Sequence, residues 1–223
     1  MRADMILDRL ALLAILLTLL ASLVIWQVAP VAFSTEFAAE DKLVENATAL
    51  FLFAAAVLLA WRARRFHRAG AWGAAGLSIL YALLFFFASG EEISWGQRLF
   101  GWGTPEFFAR HNYQQETNLH NLMVGEHRLA RTLFGSVLTT VLLLYLVVLP
   151  LLYTRFGALA RLADRLAVPV PWPRHGLIAI LASLVVAVID VPRNWEVYEL
   201  VFSLLACSIF LRPQRPSGVV LGG

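Results

Sequence analysis

The stretch "LALLAILLTLLASLVIWQV", Leu10 to Val28, carries no charge and only three polar side chains, Thr18, Ser22 and Gln27. A bilayer core about 30 Å thick takes roughly 20 residues of apolar helix, so this segment predicts a membrane span. It is longer than the apolar region of a secretory signal, and no convincing small-residue cleavage site follows. It therefore reads as a retained anchor.

The same criterion, carried outward, marks six spans: Leu10–Phe33, Val44–Trp61, Trp72–Gly90, Leu133–Tyr153, His175–Val191 and Trp195–Leu211. The whole chain agrees with lipid as its solvent. Of its 223 residues, 60% are hydrophobic and 15% charged, with mean hydropathy +0.71; soluble domains are nearer half apolar and a quarter charged. Cys207, the one cysteine, excludes an intramolecular disulfide and a thiolate metal cluster. The "DVPRNW" segment, Asp190–Trp195, predicts a tight hairpin with Asn194 capping the last helix. No repeat or linker interrupts the chain, so a single all-α domain is expected, a polytopic helix bundle with a long polar segment over 91–132.

Orientation follows from arginine, which supplies seventeen of the eighteen basic residues. The segments 1–9, 62–70, 154–174 and 212–223 hold twelve Arg against three acids; the alternate segments hold six basic residues against twelve acids. Six spans place every basic segment on one side, which predicts that both termini are cytoplasmic. Trp26, Trp61, Trp72, Trp95, Trp102 and Trp195 fall near expected span ends, where indoles prefer the interface. The arginines mark topology rather than a nucleic-acid footprint, and lipids are the expected partners. The small residues of "GAAG", Gly73–Gly76, allow close helix contact within the bundle or with a second copy or another subunit.

Polar residues gather on the opposite, outer side. Glu40, Asp41 and Glu45 open the second span, and Glu196 and Glu199 open the sixth at i, i+3. Acids at helix N-termini satisfy the macrodipole, each by roughly 0.3–1 kcal/mol, although Glu199 lies a turn inside an apolar run where a charge is costly. Glu91 and Glu92, in "FFFASGEEISWGQRLFGW" (Phe85–Trp102), end the third span, where the dipole disfavours them. They call for a counter-charge, a metal or a retained proton. Arg98 follows, able to bridge them or to bind a phosphate. The segment "RHNYQQETNLHN" adds His111, Asn112, Glu116, Asn118, His120 and Asn121; His127 reads as surface, and Thr104 with Pro105 predicts a short helix start.

The segments "GEEISWGQR" and "ETNLHN", with an acidic span start and a late "YEL" glutamate, resemble a family of uncharacterised bacterial multi-pass membrane proteins. That resemblance covers most of the chain and implies a membrane fold without an activity. A weaker resemblance is to intramembrane glutamate proteases of the CAAX-processing type. It rests on Glu91-Glu92, on Phe107-x-x-x-His111 and on His120 as the later histidine, with five residues between Glu92 and Arg98 where that motif has three.

The residues themselves point to a membrane-embedded hydrolase or transferase acting on a lipid or lipid-linked substrate at the outer leaflet. His111, His120 and Glu91 form its expected divalent-metal set, since two imidazoles and a carboxylate make an open zinc site. Glu92 is the expected general base, Arg98 the partner of a phosphate or oxyanion, and Glu199 a proton shuttle. Asn112, Asn118, Asn121, Glu45 and Glu196 are the expected substrate contacts. The alternatives are a carrier or assembly partner with intramembrane carboxylates, and a glutamate protease.

Overall fold

The computed structural model of the chain describes residues 2–124, 127–128 and 137–214. Its helices are α1 (Arg2–Val28), α2 (Leu43–Arg68), α3 (Trp72–Glu92), α4 (Glu106–His111), α5 (138–153), α6 (Gly157–Arg165), α7 (Pro173–Val188) and α8 (Asn194–Leu211). Met123–Val124 and His127–Arg128 form a two-residue antiparallel pairing; otherwise the described fold is helical.

Four helices, α1, α2, α3 and α8, are long and apolar enough to cross a membrane. The expected fifth span is a helix of 16 residues, which rises about 24 Å and falls short of a bilayer core of about 30 Å. The expected fourth is 138–153, broken by a π-helical turn at Leu144–Val148; Leu133 to Ser136 lie outside the described residues. The first span ends early. Pro30 interrupts α1 after Val28, and the chain continues as a short helical turn through Phe37.

α8 is the central helix and packs on α1, α2 and α7, while α3 packs on α2. The sequence explains this arrangement. From Ser203 to Phe210 every residue of α8 is buried, whereas α2 buries Val44, Thr48, Leu52, Ala55, Ala56, Leu59 and Ala63 at helical spacing. Alanine on that face lets α3 approach closely. The other faces stay apolar and exposed: Leu10, Leu13, Leu17, Leu20 and Val24 on α1, Leu50, Phe53 and Val57 on α2, and Leu80, Leu83 and Leu84 on α3. Continuous apolar exposure of this extent suits lipid and not water. Gly176 makes the tightest crossing, because a Cβ there would sit 2.6 Å from the Leu146 carbonyl oxygen on α5. Gly73 and Gly76, by contrast, face open space, and α3 meets its neighbours through Ala75, Ser78 and Ala82.

Charge sorts to the two ends of the bundle. The C-terminus of α2, α6 and the N-terminus of α7 carry arginines; the N-termini of α2 and α8 and the C-terminus of α3 carry carboxylates. At the arginine end Asp8 is buried at 1% exposure. Arg174 reaches both its carboxylate oxygens at 3.0 and 2.9 Å, Arg212 lies at 3.3 Å, and the Ser208 hydroxyl donates at 2.5 Å. This knot joins α1, α7 and α8. Nearby, three tyrosines hold the 164–169 stretch: Tyr153 donates to Asp164, Tyr81 to the Leu166 carbonyl and Tyr145 to the Pro169 carbonyl.

Candidate functional site

The "GEEISWGQR" segment folds as a reversal of the chain at the end of α3. Ser94, Trp95 and Gly96 are consecutive left-handed residues, at φ 48°, 56° and 76°. Two of the three bear side chains in a region that favours glycine, so surrounding contacts must hold the turn. They do. The Trp95 ring folds back over Gly90, where a Cβ would lie 2.8 Å from it, and it meets Phe87 edge-on at 5.4 Å. Its indole N–H donates to Glu91 at 2.8 Å, and the Ser94 hydroxyl donates to Glu116 at 2.5 Å.

Glu91 is thereby a structural pin. It is 7% exposed, and its second oxygen accepts the backbone N–H groups of Leu119 at 2.5 Å and His120 at 3.1 Å. The His120 ring stands with Nδ1 at 3.7 Å from the same carboxylate. The "ETNLHN" loop closes around buried amides. Asn112 Nδ2 donates to the backbone and side-chain oxygens of Asn118, both at 2.8 Å, and Asn118 donates to Ser94 at 2.9 Å. The expected substrate contacts Asn112 and Asn118 are thus turned inward to hold the loop, and Asn121 bonds Gln114 and His120. Thr104 makes no cap for α4; its hydroxyl donates to the Gln115 carbonyl at 2.7 Å.

Two arginines bind the loops to the spans. Arg98 lies 2.7 Å from Asp41 and 3.3 Å from Glu45, and it also pairs with Glu116. Partial burial opposes its charge, but Glu116, Glu45 and Asp41 outweigh that and raise its pKa above the ordinary arginine value. Arg193, left-handed at φ 67°, pairs with Glu40 at 2.6 Å and approaches Glu196 at 3.8 Å. Burial opposes its charge too, and Glu40 more than compensates, so its pKa is likewise raised. Arg98 is therefore an ion-pair hub rather than a free partner for phosphate. Asn194, expected to cap α8, instead donates to the Val186 and Ile189 carbonyls at the end of α7, and Arg193 takes the cap position.

What remains is a group of carboxylates from two helices. Glu92 from the end of α3, and Glu196 and Glu199 from the first turns of α8, each offer an oxygen within 4.8 Å of the others. Glu92 and Glu196 are half-buried, and Glu199 is exposed. Neither Glu92 nor Glu199 has an ion pair with a basic residue among the described residues. Below them, Phe85 of α3 stacks with Phe202 of α8 at 6.4 Å and 19° between planes. Phe202 is three residues beyond Glu199 and Phe85 seven before Glu92, so the same two helix faces present an aromatic floor and an acidic rim.

The expected metal set of His111, His120 and Glu91 is not the group that converges. His111 is exposed; its Nδ1 lies 2.9 Å from the Phe107 carbonyl and its ring stacks on Phe107. His120 stays with Glu91, within electrostatic reach of Glu196. The His127 side chain lies outside the described residues. Oxygen-only donors suit a hard cation such as Mg²⁺, Mn²⁺ or Ca²⁺ better than zinc with imidazole ligands. A shallow crevice of about 530 Å³ on the flank of α2, lined by Asp41, Lys42, Leu43, Asn46, Ala47 and Leu50, includes none of the three carboxylates. Comparison with protein-family models, with curated proteins and with solved structures finds no match, so the site rests on its own chemistry.

Proposed function

We propose that the protein is a membrane-embedded hydrolase or transferase for a lipid or lipid-linked substrate, with Glu92, Glu196 and Glu199 as its divalent-cation site. The observation that carries this reading is the approach of three carboxylates within 4.8 Å of one another at the ends of apolar helices. Two unit charges at that distance repel by about 3.5 kcal/mol at an effective dielectric of 20. The contribution of a helix N-terminus, roughly 0.3–1 kcal/mol per acid, is too small to offset three such pairs. A cation or retained protons must balance the charge.

A bound divalent cation supplies Lewis-acid chemistry and a bridge to an anionic headgroup. The chain's own residues supply the rest. The Glu91 pin and the Arg98 hub fix the two loops that frame the carboxylates. His120, held by Glu91, is the nearest imidazole to carry a proton. The Phe85–Phe202 floor keeps water from below. The test is calorimetric titration of metal-stripped protein with Mn²⁺ and Mg²⁺, followed by mass spectrometry of lipids from proteoliposomes. Saturable binding of about one ion and metal-dependent appearance of a cleaved lipid are expected. Absence of binding by either cation excludes the reading.

A second reading, a cation or proton carrier, draws on the same cluster, because its three members are all carboxylates at the ends of apolar helices. Ion uptake into proteoliposomes without lipid cleavage distinguishes it. The protease reading has less support, since Glu91 already accepts three N–H donors and His111 engages Phe107 of its own helix. We also propose six crossings of a bacterial inner membrane with both termini cytoplasmic, on the strength of the arginine sorting. In a Cys207→Ser background, single cysteines at Ala69 and Ser217 are expected to be shielded from an impermeant thiol reagent in intact cells. One at Phe107 is expected to react. Labelling at Ser217 with protection at Ala69 overturns the count.

A further inference from the structure

The short helix α6 lies at the arginine end of the bundle, and its residues divide into three arcs. Ala163 is buried and Ala160 half-buried against Tyr153, Val168 and Val170. Leu162 and Leu166, with Phe156 before the helix, are 51%, 40% and 57% exposed. Arg161 and Arg165, one turn apart, are exposed and make no ion pair among the described residues, while Asp164, the acid of this helix, accepts the Tyr153 hydroxyl at 2.8 Å. At 100° per residue the leucines extend the apolar arc that begins on the protein, and the arginines border its free edge. Tyr81, Tyr145 and Tyr153 anchor the 164–169 stretch through their hydroxyls, which fixes the helix against the spans.

An apolar arc half covered by protein and half bare, edged with unpaired arginines, is the pattern of a helix lying in the plane of a membrane interface. We propose that α6 is a docking surface for anionic phospholipid headgroups. Leu162, Leu166 and Phe156 enter the acyl boundary, and Arg161 with Arg165 take the phosphate. The four arginines Arg62, Arg64, Arg65 and Arg68 at the end of α2 lie at the same end of the bundle and add to the positive field there. Charge complementarity selects the occupant, because a zwitterionic leaflet gives these guanidiniums no net attraction. The site is independent of the carboxylate cluster at the other end of the molecule.

The experiment measures phosphatidylglycerol binding to the detergent-purified full chain by native mass spectrometry, with phosphatidylcholine as the neutral control. The wild type is expected to retain phosphatidylglycerol in preference to phosphatidylcholine. The R161Q/R165Q double variant is expected to weaken that binding roughly thirtyfold, with thermal stability in neutral detergent unchanged because both positions are exposed. An L162S/L166S variant is expected to weaken it as well, whereas excess inorganic phosphate leaves it intact. Equal binding of the two lipids by the wild type overturns the proposal. So does wild-type affinity in R161Q/R165Q, complete loss confined to an R64Q/R68Q variant, or displacement by inorganic phosphate.

Discussion

Asp8→Ala is expected to cost about 3–5 kcal/mol of folding stability, the usual penalty for removing one partner of a buried charge network. For a chain of this size that lowers the thermal midpoint by on the order of 10 °C. The size follows from what the substitution leaves behind. Asp8 is 1% exposed and takes two guanidiniums and one hydroxyl. Without it Arg174 and Arg212 face each other uncompensated, and the Ser208 hydroxyl loses its acceptor. His175 Nδ1 accepts the Trp172 N–H at 3.0 Å, and its Nε2 lies 3.1 Å from the Ser208 hydroxyl oxygen and 3.3 Å from Arg174 Nε, so the ring packs against two of the groups that hold Asp8. Ser208→Ala removes only one neutral donor and should cost about 1 kcal/mol. Arg174→Ala leaves Arg212 as counter-charge and should fall between the two. Tryptophan-monitored thermal unfolding in detergent ranks the three. A midpoint of Asp8→Ala within 2 °C of wild type contradicts the assigned role.

That network also marks where the sequence stops being legible. Asp8 was readable as an acid at the basic end, but its partners lie 166 to 204 positions away in the chain, and no local pattern names them. The apolar runs were readable because each span needs its length in lipid, and α1, α2, α3 and α8 fall where those runs are. The short α7 and the broken α5 were not, since hydropathy reports apolar content and neither helical continuity nor the π-helical turn at Leu144–Val148. Glu199 was visible as an acid placed a turn too deep to be explained by a helix end alone. His111 and His120 drew attention by type and spacing, yet α4 ends with His111 turned onto Phe107. Asn112 and Asn118 looked like substrate contacts because they are polar residues at a surface. A buried amide pair holding a loop has the same composition.

Glu91 and Glu92 are neighbours in the sequence, and they are expected to respond oppositely to the same change. On a helix they point about 100° apart. Glu91 accepts three N–H donors, so Glu91→Gln, which trades a charged acceptor for a neutral one and adds an unwanted NH₂, should destabilise the protein by about 1.5–3 kcal/mol. Glu92 lies against the Glu196 and Glu199 carboxylates and has no basic partner among the described residues. Glu92→Gln relieves repulsion of about 3.5 kcal/mol per pair at full ionisation, so the metal-free protein should be at least as stable as wild type. If the three carboxylates hold a cation as proposed, the same substitution removes a ligand charge, and divalent-cation affinity should fall by a hundredfold or more, about 2.7 kcal/mol, with the proposed lipid cleavage lost alongside. Glu91→Gln should keep cation affinity within a few-fold once its lower thermal midpoint is allowed for. Paired thermal scans with and without Mn²⁺ read both quantities from one preparation. Wild-type Mn²⁺ stabilisation in Glu92→Gln would remove the carboxylate cluster from the mechanism. A fall in the metal-free midpoint of Glu92→Gln would show instead that this side chain, like its neighbour, holds the fold.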